Sequence, residues 1–247
     1  MARGVYSTAN YFEYAGGIVT TTPLTLACWM TSSANTATNC LLSISRNDGG
    51  SAPDGFHLNI NTARNIAAEV TANGPSSTAT SASTLAVNTW GHAAAVFVST
   101  TSRFAYLNGV AGTENTTSRI PVTTPDTTNI GARILRDATV NIPAIESLIA
   151  EAAIWNVVLT AAELLQLAAG YSPLFVRPAS LVAYYPLIRG DASGDCPDYV
   201  GGLKMVEQGT VAVQTHARVF YPSSPITLGV PAAAPPAGNP WYAYAQM

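Results

Sequence analysis

The chain has 247 residues, of which 48% are apolar and only 10% charged, with a formal net charge of −3; an average globular protein carries about 25% charged residues. Scattered Arg residues and a slight acidic balance exclude the clustered basic footprint of a nucleic-acid binder. No apolar run approaches the roughly 20 residues of a membrane-spanning helix, which excludes a membrane anchor of that kind.

The length suits one large all-β domain. Lys204 is the single lysine, although lysine is the residue that guards exposed sheet edges against unwanted pairing. A sandwich so poor in charge is expected to cover its edges or to live in an assembly. Met1-Ala2-Arg3-Gly4-Val5-Tyr6 runs into strand-like sequence without the apolar core of a signal peptide, so folding in a cytoplasm is expected.

In chain order, Tyr11-Phe12-Glu13-Tyr14 reads as a short strand closed by Gly16-Gly17. Leu24 to Met30 alternates, with Leu24, Leu26, Cys28 and Met30 on one face and Thr25, Ala27 and Trp29 on the other, so both faces are partly apolar. Strands follow at Leu41–Ser45, Phe56–Ile60 and Ile66–Val70, separated by Gly, Pro, Asn and Asp clusters. Ser76 to Ser83 is assigned to a Ser/Thr/Ala loop. Asn88-Thr89-Trp90-Gly91-His92 leads into Ala93–Val98 and then Phe104–Leu107, where Asn108-Gly109 marks a tight type I′ hairpin turn. Further strands are expected at Thr128–Ile130 and Leu148–Trp155, with Trp29, Trp90 and Trp155 all on strands. This spacing is that of a sandwich or barrel.

One helix is expected over Thr160 to Ala169. Thr160-Ala161-Ala162-Glu163 forms a capping box, and Gly170 supplies the stop. Cys28, Cys40 and Cys196 show no metal spacing and are expected to be thiols, although Cys28 and Cys40 on consecutive strands could face each other. The sandwich is assigned to residues 1–222. Residues 223–247 form a Pro/Ala-rich arm ending in Trp241-Tyr242-Ala243-Tyr244.

The Trp90–His92 hairpin ending in Asn108-Gly109, the run Ile130-Gly131-Ala132-Arg133, the strand Ser147-Leu148-Ile149-Ala150-Glu151-Ala152-Ala153-Ile154-Trp155 and the sequence Leu159-Thr160-Ala161-Ala162-Glu163 together resemble the laminin-G-like, concanavalin A-like domains. Glu151 matches that family's Glu, whereas Ala150 stands where the family has Asp. The resemblance covers roughly residues 5 to 172 and implies an all-β, two-sheet antiparallel jelly-roll sandwich with one short helix and an extended C-terminal arm. The segments Ser180–Leu187, Val200–Leu203 and His216–Pro222 resemble the C-terminal extension of such proteins in tailed bacteriophages.

Glycoside hydrolases share this fold, and a retaining enzyme needs two carboxyl groups about 5–5.5 Å apart, usually from alternate positions of one strand. The glutamates at 13, 69, 114, 146, 151, 163 and 207 never fall two or four apart, so no catalysis is expected, and Glu151 reads as a structural acceptor for loop amides. Asp48 and Asp54, and the second acidic loop with Asp191, Asp195 and Asp198, could offer calcium oxygens but use the ordinary vocabulary of turns. Arg189-Gly190-Asp191 is discounted as a chance triplet. His57, His92 and His216 have no triad partner at a recognisable spacing.

The expectation is therefore a non-enzymatic virion structural protein, without cofactor or metal, that decorates or cements a capsid or forms part of a tail or fibre. Its partners would be the major capsid or tail protein and further copies of itself, with Trp241, Tyr242 and Tyr244 as interface anchors. The alternative is a lectin-like module whose partner is a surface glycan.

Overall fold

The computed structural model describes residues 2–4, 6–33, 36–49, 52–135, 139–188 and 194–221. In chain order the strands are β1 (Ala2–Gly4), β2 (Tyr11–Tyr14), β3 (Leu24–Ser32), β4 (Asn39–Ser45), β5 (Gly55–Ile60), β6 (Asn65–Thr71), β7 (Ser76–Thr84), β8 (Gly91–Ser99) and β9 (Ser102–Leu107). They continue as β10 (Val110–Ala111), β11 (Thr127–Ile130), β12 (Ala132–Ile134), β13 (Val140–Pro143), β14 (Ser147–Trp155), β15 (Leu181–Tyr185), β16 (Val206–Gln208) and β17 (Ala212–Gln214). Between β14 and β15 lie the helix α1 (Ala161–Ala168) and two 3-10 turns.

Two antiparallel sheets stack as a concanavalin A-like jelly roll. The first runs β10-β9-β8-β3-β14-β1-β17, with β15 also paired to β14; the second runs β16-β2-β11-β4-β5-β6-β7. The period-2 alternation of β3 places Leu24, Leu26, Cys28 and Met30 in the core between the sheets, against Phe56, Phe97 and Ile154. The rings of Phe56 and Phe97 meet edge to face at 5.2 Å, closing the sandwich across its two sheets.

The other face of β3 is apolar for a separate reason. A second core forms on the outer face of the first sheet from Ala27, Val96, Trp155, Leu159, Leu164, Leu167 and Tyr184. Trp155 is fully buried and its indole N–H donates to the Val176 carbonyl at 2.9 Å. The expected capping box starts α1: Thr160 Oγ1 accepts from the Glu163 amide at 3.3 Å, and Glu163 Oε2 accepts from the Thr160 amide at 2.7 Å. Helix and 3-10 turns thus roof the first sheet, whereas among the described residues no helix covers the outer face of the second sheet.

At the Asn108-Gly109 turn both residues have positive φ, 52° and 79°, as the type I′ reading requires. Gly131, at φ +81°, joins β11 to β12; a Cβ there would fall 2.0 Å from the Tyr6 ring.

Two expectations are corrected. Ser76–Ser83 is not a loop but most of β7, an edge strand whose inward positions need only small side chains: Ser77, Ala79 and Ser81 are buried between exposed Ser76, Thr78 and Thr80. Trp90 precedes β8 instead of lying on a strand. Cys28 and Cys40, on different sheets, are buried free thiols, as expected. The segment after α1 also proves integral to the sandwich, because β15 pairs with β14, β16 with β2 and β17 with β1. The arm at 223–247, with Trp241, Tyr242 and Tyr244, lies outside the described residues, as does Asp191.

Candidate functional site

The outer face of the second sheet is polar, and strand register shows how. Core-facing Ile44, Phe56 and Val70 alternate with a transverse row in which Glu13 pairs with Asn129, Asn129 with Ser43, Ser43 with His57, His57 with Glu69 and Glu69 with Thr78. Six consecutive strands thus each contribute one polar side chain to a single line. The next row carries Thr127, Ser45 and Thr71, and the row on the other side carries Asn59 and Thr80.

Much of this face is sequestered. Ser43, Ser45, His57 and Asn129 are fully buried, whereas Thr78 and Thr80 are exposed and Glu13 and Glu69 partly so. The β12–β13 hairpin leans over β4, held by Ser43 Oγ donating to the Ala132 carbonyl at 2.9 Å. From it Arg133 reaches across to Glu69 Oε2 at 3.2 Å, while its Nε donates to Asn141 Oδ1 at 3.0 Å.

Two carboxylates set the orientation of two amides. Glu69 accepts from Asn59 Nδ2 at 2.7 Å, which turns Asn59 Oδ1 away. Thr127 Oγ1 donates to Glu13 Oε1 at 3.2 Å, so its oxygen is left to accept from Asn129 Nδ2 at 3.3 Å and Asn129 Oδ1 is turned away. His57 Nε2 meets Thr71 Oγ1 at 2.8 Å, and burial together with Arg133 holds this imidazole well below its usual range and neutral. Ser45 Oγ, His57 Nδ1, Asn59 Oδ1 and Asn129 Oδ1 are buried without a hydrogen-bond partner, four such atoms on one sheet face. An unpaired buried polar atom costs about 1–3 kcal/mol, so a run of them marks a place where further partners belong.

The profile of the concanavalin A-like lectin/glucanases superfamily, in its laminin-G form, matches residues 7–165, more than half of the chain. The chain belongs to this superfamily. No curated protein sequence matches it. Among solved structures, a Bacteroides ovatus protein described as a candidate carbohydrate-binding protein superposes with a TM-score of 0.60 at 17% identity, over 89% of this chain and 61% of the other. The chain therefore spans about three fifths of that protein's length. The CBM40 module of a Ruminococcus gnavus IT-sialidase, bound to α2,3 sialyllactose, superposes with a TM-score of 0.51 at 16% identity, over 67% of this chain and 97% of the module. At such identities the likeness is one of fold.

Elsewhere in this lectin-like sandwich the acidic residues singled out in the sequence anchor loops. The buried Asp54 accepts from the Val122 amide at 2.9 Å and from the Thr123 hydroxyl at 2.8 Å, and Asp48 pairs with Arg46 at 2.6 Å. Asp198 collects the amides of Tyr184, Val200, Gly201 and Leu203 at 2.9–3.1 Å. Asp195 holds Lys204 at 2.7 Å. Among the described residues no group of three or more His, Cys, Asp or Glu side chains is placed to hold a metal ion.

Glu151 departs from its expected role, since side chains occupy its carboxylate in place of loop amides. It receives the Tyr184 hydroxyl, the Tyr221 hydroxyl at 2.6 Å and His216 Nε2 at 3.0 Å. A bulge makes this possible: between the pairs Ala150–Trp29 and Ala153–Ala27, two residues of β14 oppose one of β3, and Glu151 takes φ +54°. The extra residue keeps Ile149, Ala152 and Ile154 in the core.

The polar row was not foreseen. Its signal lay in Leu-Ser-Ile-Ser, Phe-His-Leu-Asn-Ile and Ala-Glu-Val, three strands whose second face is consistently polar.

Proposed function

We propose that this chain is a non-enzymatic glycan-binding module whose recognition surface is the outer face of the seven-stranded sheet. The observation that carries the proposal is the transverse polar row and the two rows that flank it, which together hold four unpartnered buried atoms, two of them in the row itself. Saccharides present hydroxyls that both donate and accept; the exposed Thr78 and Thr80 and the partly exposed Glu13 and Glu69 offer them direct partners, and the buried atoms can be reached through bridging waters. The superfamily and the carbohydrate-binding description of the Bacteroides ovatus protein support the reading. Distance separates the two carboxylates of this face too far for a hydrolytic pair. Glu13 and Glu69 share the row but stand four inter-strand spacings apart, about 19 Å, well beyond the roughly 5–9.5 Å of a hydrolytic pair.

The test is a glycan array probed with the full chain, followed by titration calorimetry on the best ligand with wild type, Asn129→Ala and Thr78→Ala/Thr80→Ala. Loss of affinity in the face variants, with unchanged melting, is the expected result. An array without signal, or face variants that bind undiminished, would overturn it.

A second reading, a virion protein that assembles through subunit interfaces with capsid or tail partners, is favoured by one observation on the opposite side of the molecule. The ring of Tyr171 packs against those of Phe175 and Phe220 at about 6 Å, yet each of the three remains close to half exposed or more. Exposed clustered aromatics suit an interface. The superfamily and the structural likenesses support the glycan reading better.

A further inference from the structure

We infer that the ligand of the polar face is an uncharged, hydroxyl-rich saccharide and that sialylated or otherwise acidic glycans are disfavoured there. The inference rests on the glycan-binding reading above and narrows its ligand class. Three features of the face carry it.

The first is charge. The face holds the carboxylates of Glu13 and Glu69 and the guanidinium of Arg133. That cation is already engaged: NH1 lies 3.2 Å from Glu69 Oε2 and Nε donates to Asn141 Oδ1 at 3.0 Å. An acidic sugar would meet a paired guanidinium and a second carboxylate, Glu13, in the same row. Like charges across a binding surface cost affinity and reject the wrong ligand.

The second is hydrogen-bond polarity. The amides of Asn59 and Asn129 are oriented by Glu69 and by the Glu13–Thr127 pair, so the atoms left over are Asn59 Oδ1 and Asn129 Oδ1. Both are acceptors and need a donor. A water bridging to a sugar hydroxyl supplies one to these buried atoms, whereas the ionised carboxylate of an acidic sugar, unlike that sugar's own hydroxyls, has only acceptors. The same two carboxylates thus repel an anion and turn the amides to receive hydroxyls.

The third is the histidine. Buried beside Arg133, His57 stays neutral and adds no positive charge near neutral pH. Its Nδ1 and Ser45 Oγ are the other unpartnered polar atoms of the face.

The experiment is an array in which neutral oligosaccharides stand beside the same cores capped with sialic acid, and beside uronic-acid polymers, probed with the full chain. Calorimetry follows on the matched pair that gives signal, with lactose and 3′-sialyllactose as reference probes. The neutral member is expected to bind more tightly, by roughly ten-fold or more. Glu69→Gln frees Arg133 and removes one negative charge, so it should narrow that preference by raising affinity for the sialylated member; Glu13→Gln, away from Arg133, should narrow it less. Thermal melting of both variants checks that each is folded. A sialylated ligand that binds wild type as tightly as its neutral core, or more tightly, overturns the inference and leaves the glycan reading standing. Silence across the array removes the glycan reading, and this inference with it.

Discussion

His216 Nε2 lies 3.0 Å from Glu151 Oε1 and 3.1 Å from the Pro186 carbonyl, while its Nδ1 faces the Ala217 carbonyl. Both ring nitrogens therefore meet only acceptors, an arrangement that both can satisfy only as donors, in the imidazolium form. Burial alone would lower this pKa; the hydrogen bond and charge of Glu151, with the two carbonyls, outweigh it and raise the pKa above its usual value. The Tyr184 and Tyr221 hydroxyls complete the group around Glu151.

This pair makes the sandwich less stable in alkali. Because the folded pKa of His216 is raised, its contribution is fully present below about pH 6.5 and is lost as pH rises through the folded value. Melting temperature should fall between pH 6 and pH 9. His216→Ala should melt lower at pH 6 and show a flatter profile across that window. A parallel profile in the variant would refute the assignment.

His92 acts in the opposite direction. It is buried, stacks edge-on against Trp29 at 5.8 Å, and burial pushes it down to about 3. Its contribution is present above about pH 6.5 and is lost as pH falls, because the unfolded chain takes up a proton that the folded chain refuses. By pH 5 the loss reaches about 2 kcal/mol. Urea unfolding at pH 7 and pH 5 should show His92→Gln losing less stability on acidification than wild type, by about that amount.

Trp155 tests the second core. Trp155→Ala should destabilise by about 3–5 kcal/mol, because it removes the largest side chain beneath the helix and leaves the Val176 carbonyl without its indole donor. Denaturant unfolding measures this, and a loss under about 1 kcal/mol would mean that the outer cluster adds little to stability.

The arm at 223–247 is expected to be separable from the fold. The described residues through Tyr221 already complete both sheets, through β15, β16 and β17. Deleting residues 223–247 should leave secondary structure and melting unchanged and, on the assembly reading, abolish self-association that depends on Trp241, Tyr242 and Tyr244. Analytical ultracentrifugation of the two forms decides this. Unfolding of the truncated chain would instead make the arm part of the domain.

Fold class was legible because it depends on local periodicity. The alternation of Leu24 to Met30, the Asn108-Gly109 turn and the Thr160–Glu163 box each act within a few residues, and each appears in the structure as read. The Ser76–Ser83 segment was misread because an edge strand of small polar residues carries almost no hydrophobic signal; pairing with β6 makes it a strand. Glu151 was misread because its three partners come from positions 33, 65 and 70 residues further along the chain.

The sequence by itself determined that this is an antiparallel sandwich with one capped helix, since apolar period and turn chemistry are properties of neighbouring residues. Only the tertiary structure decided which sheet face would be left polar. The helix and 3-10 turns cover the outer face of one sheet because Trp155, Leu164 and Leu167 must leave water. The outer face of the other sheet is left polar, and strand register aligns Glu13, Asn129, Ser43, His57, Glu69 and Thr78, residues scattered along more than a hundred positions, into one row. That alignment is a matter of which strands pair and where, and pairing is set by the whole core at once.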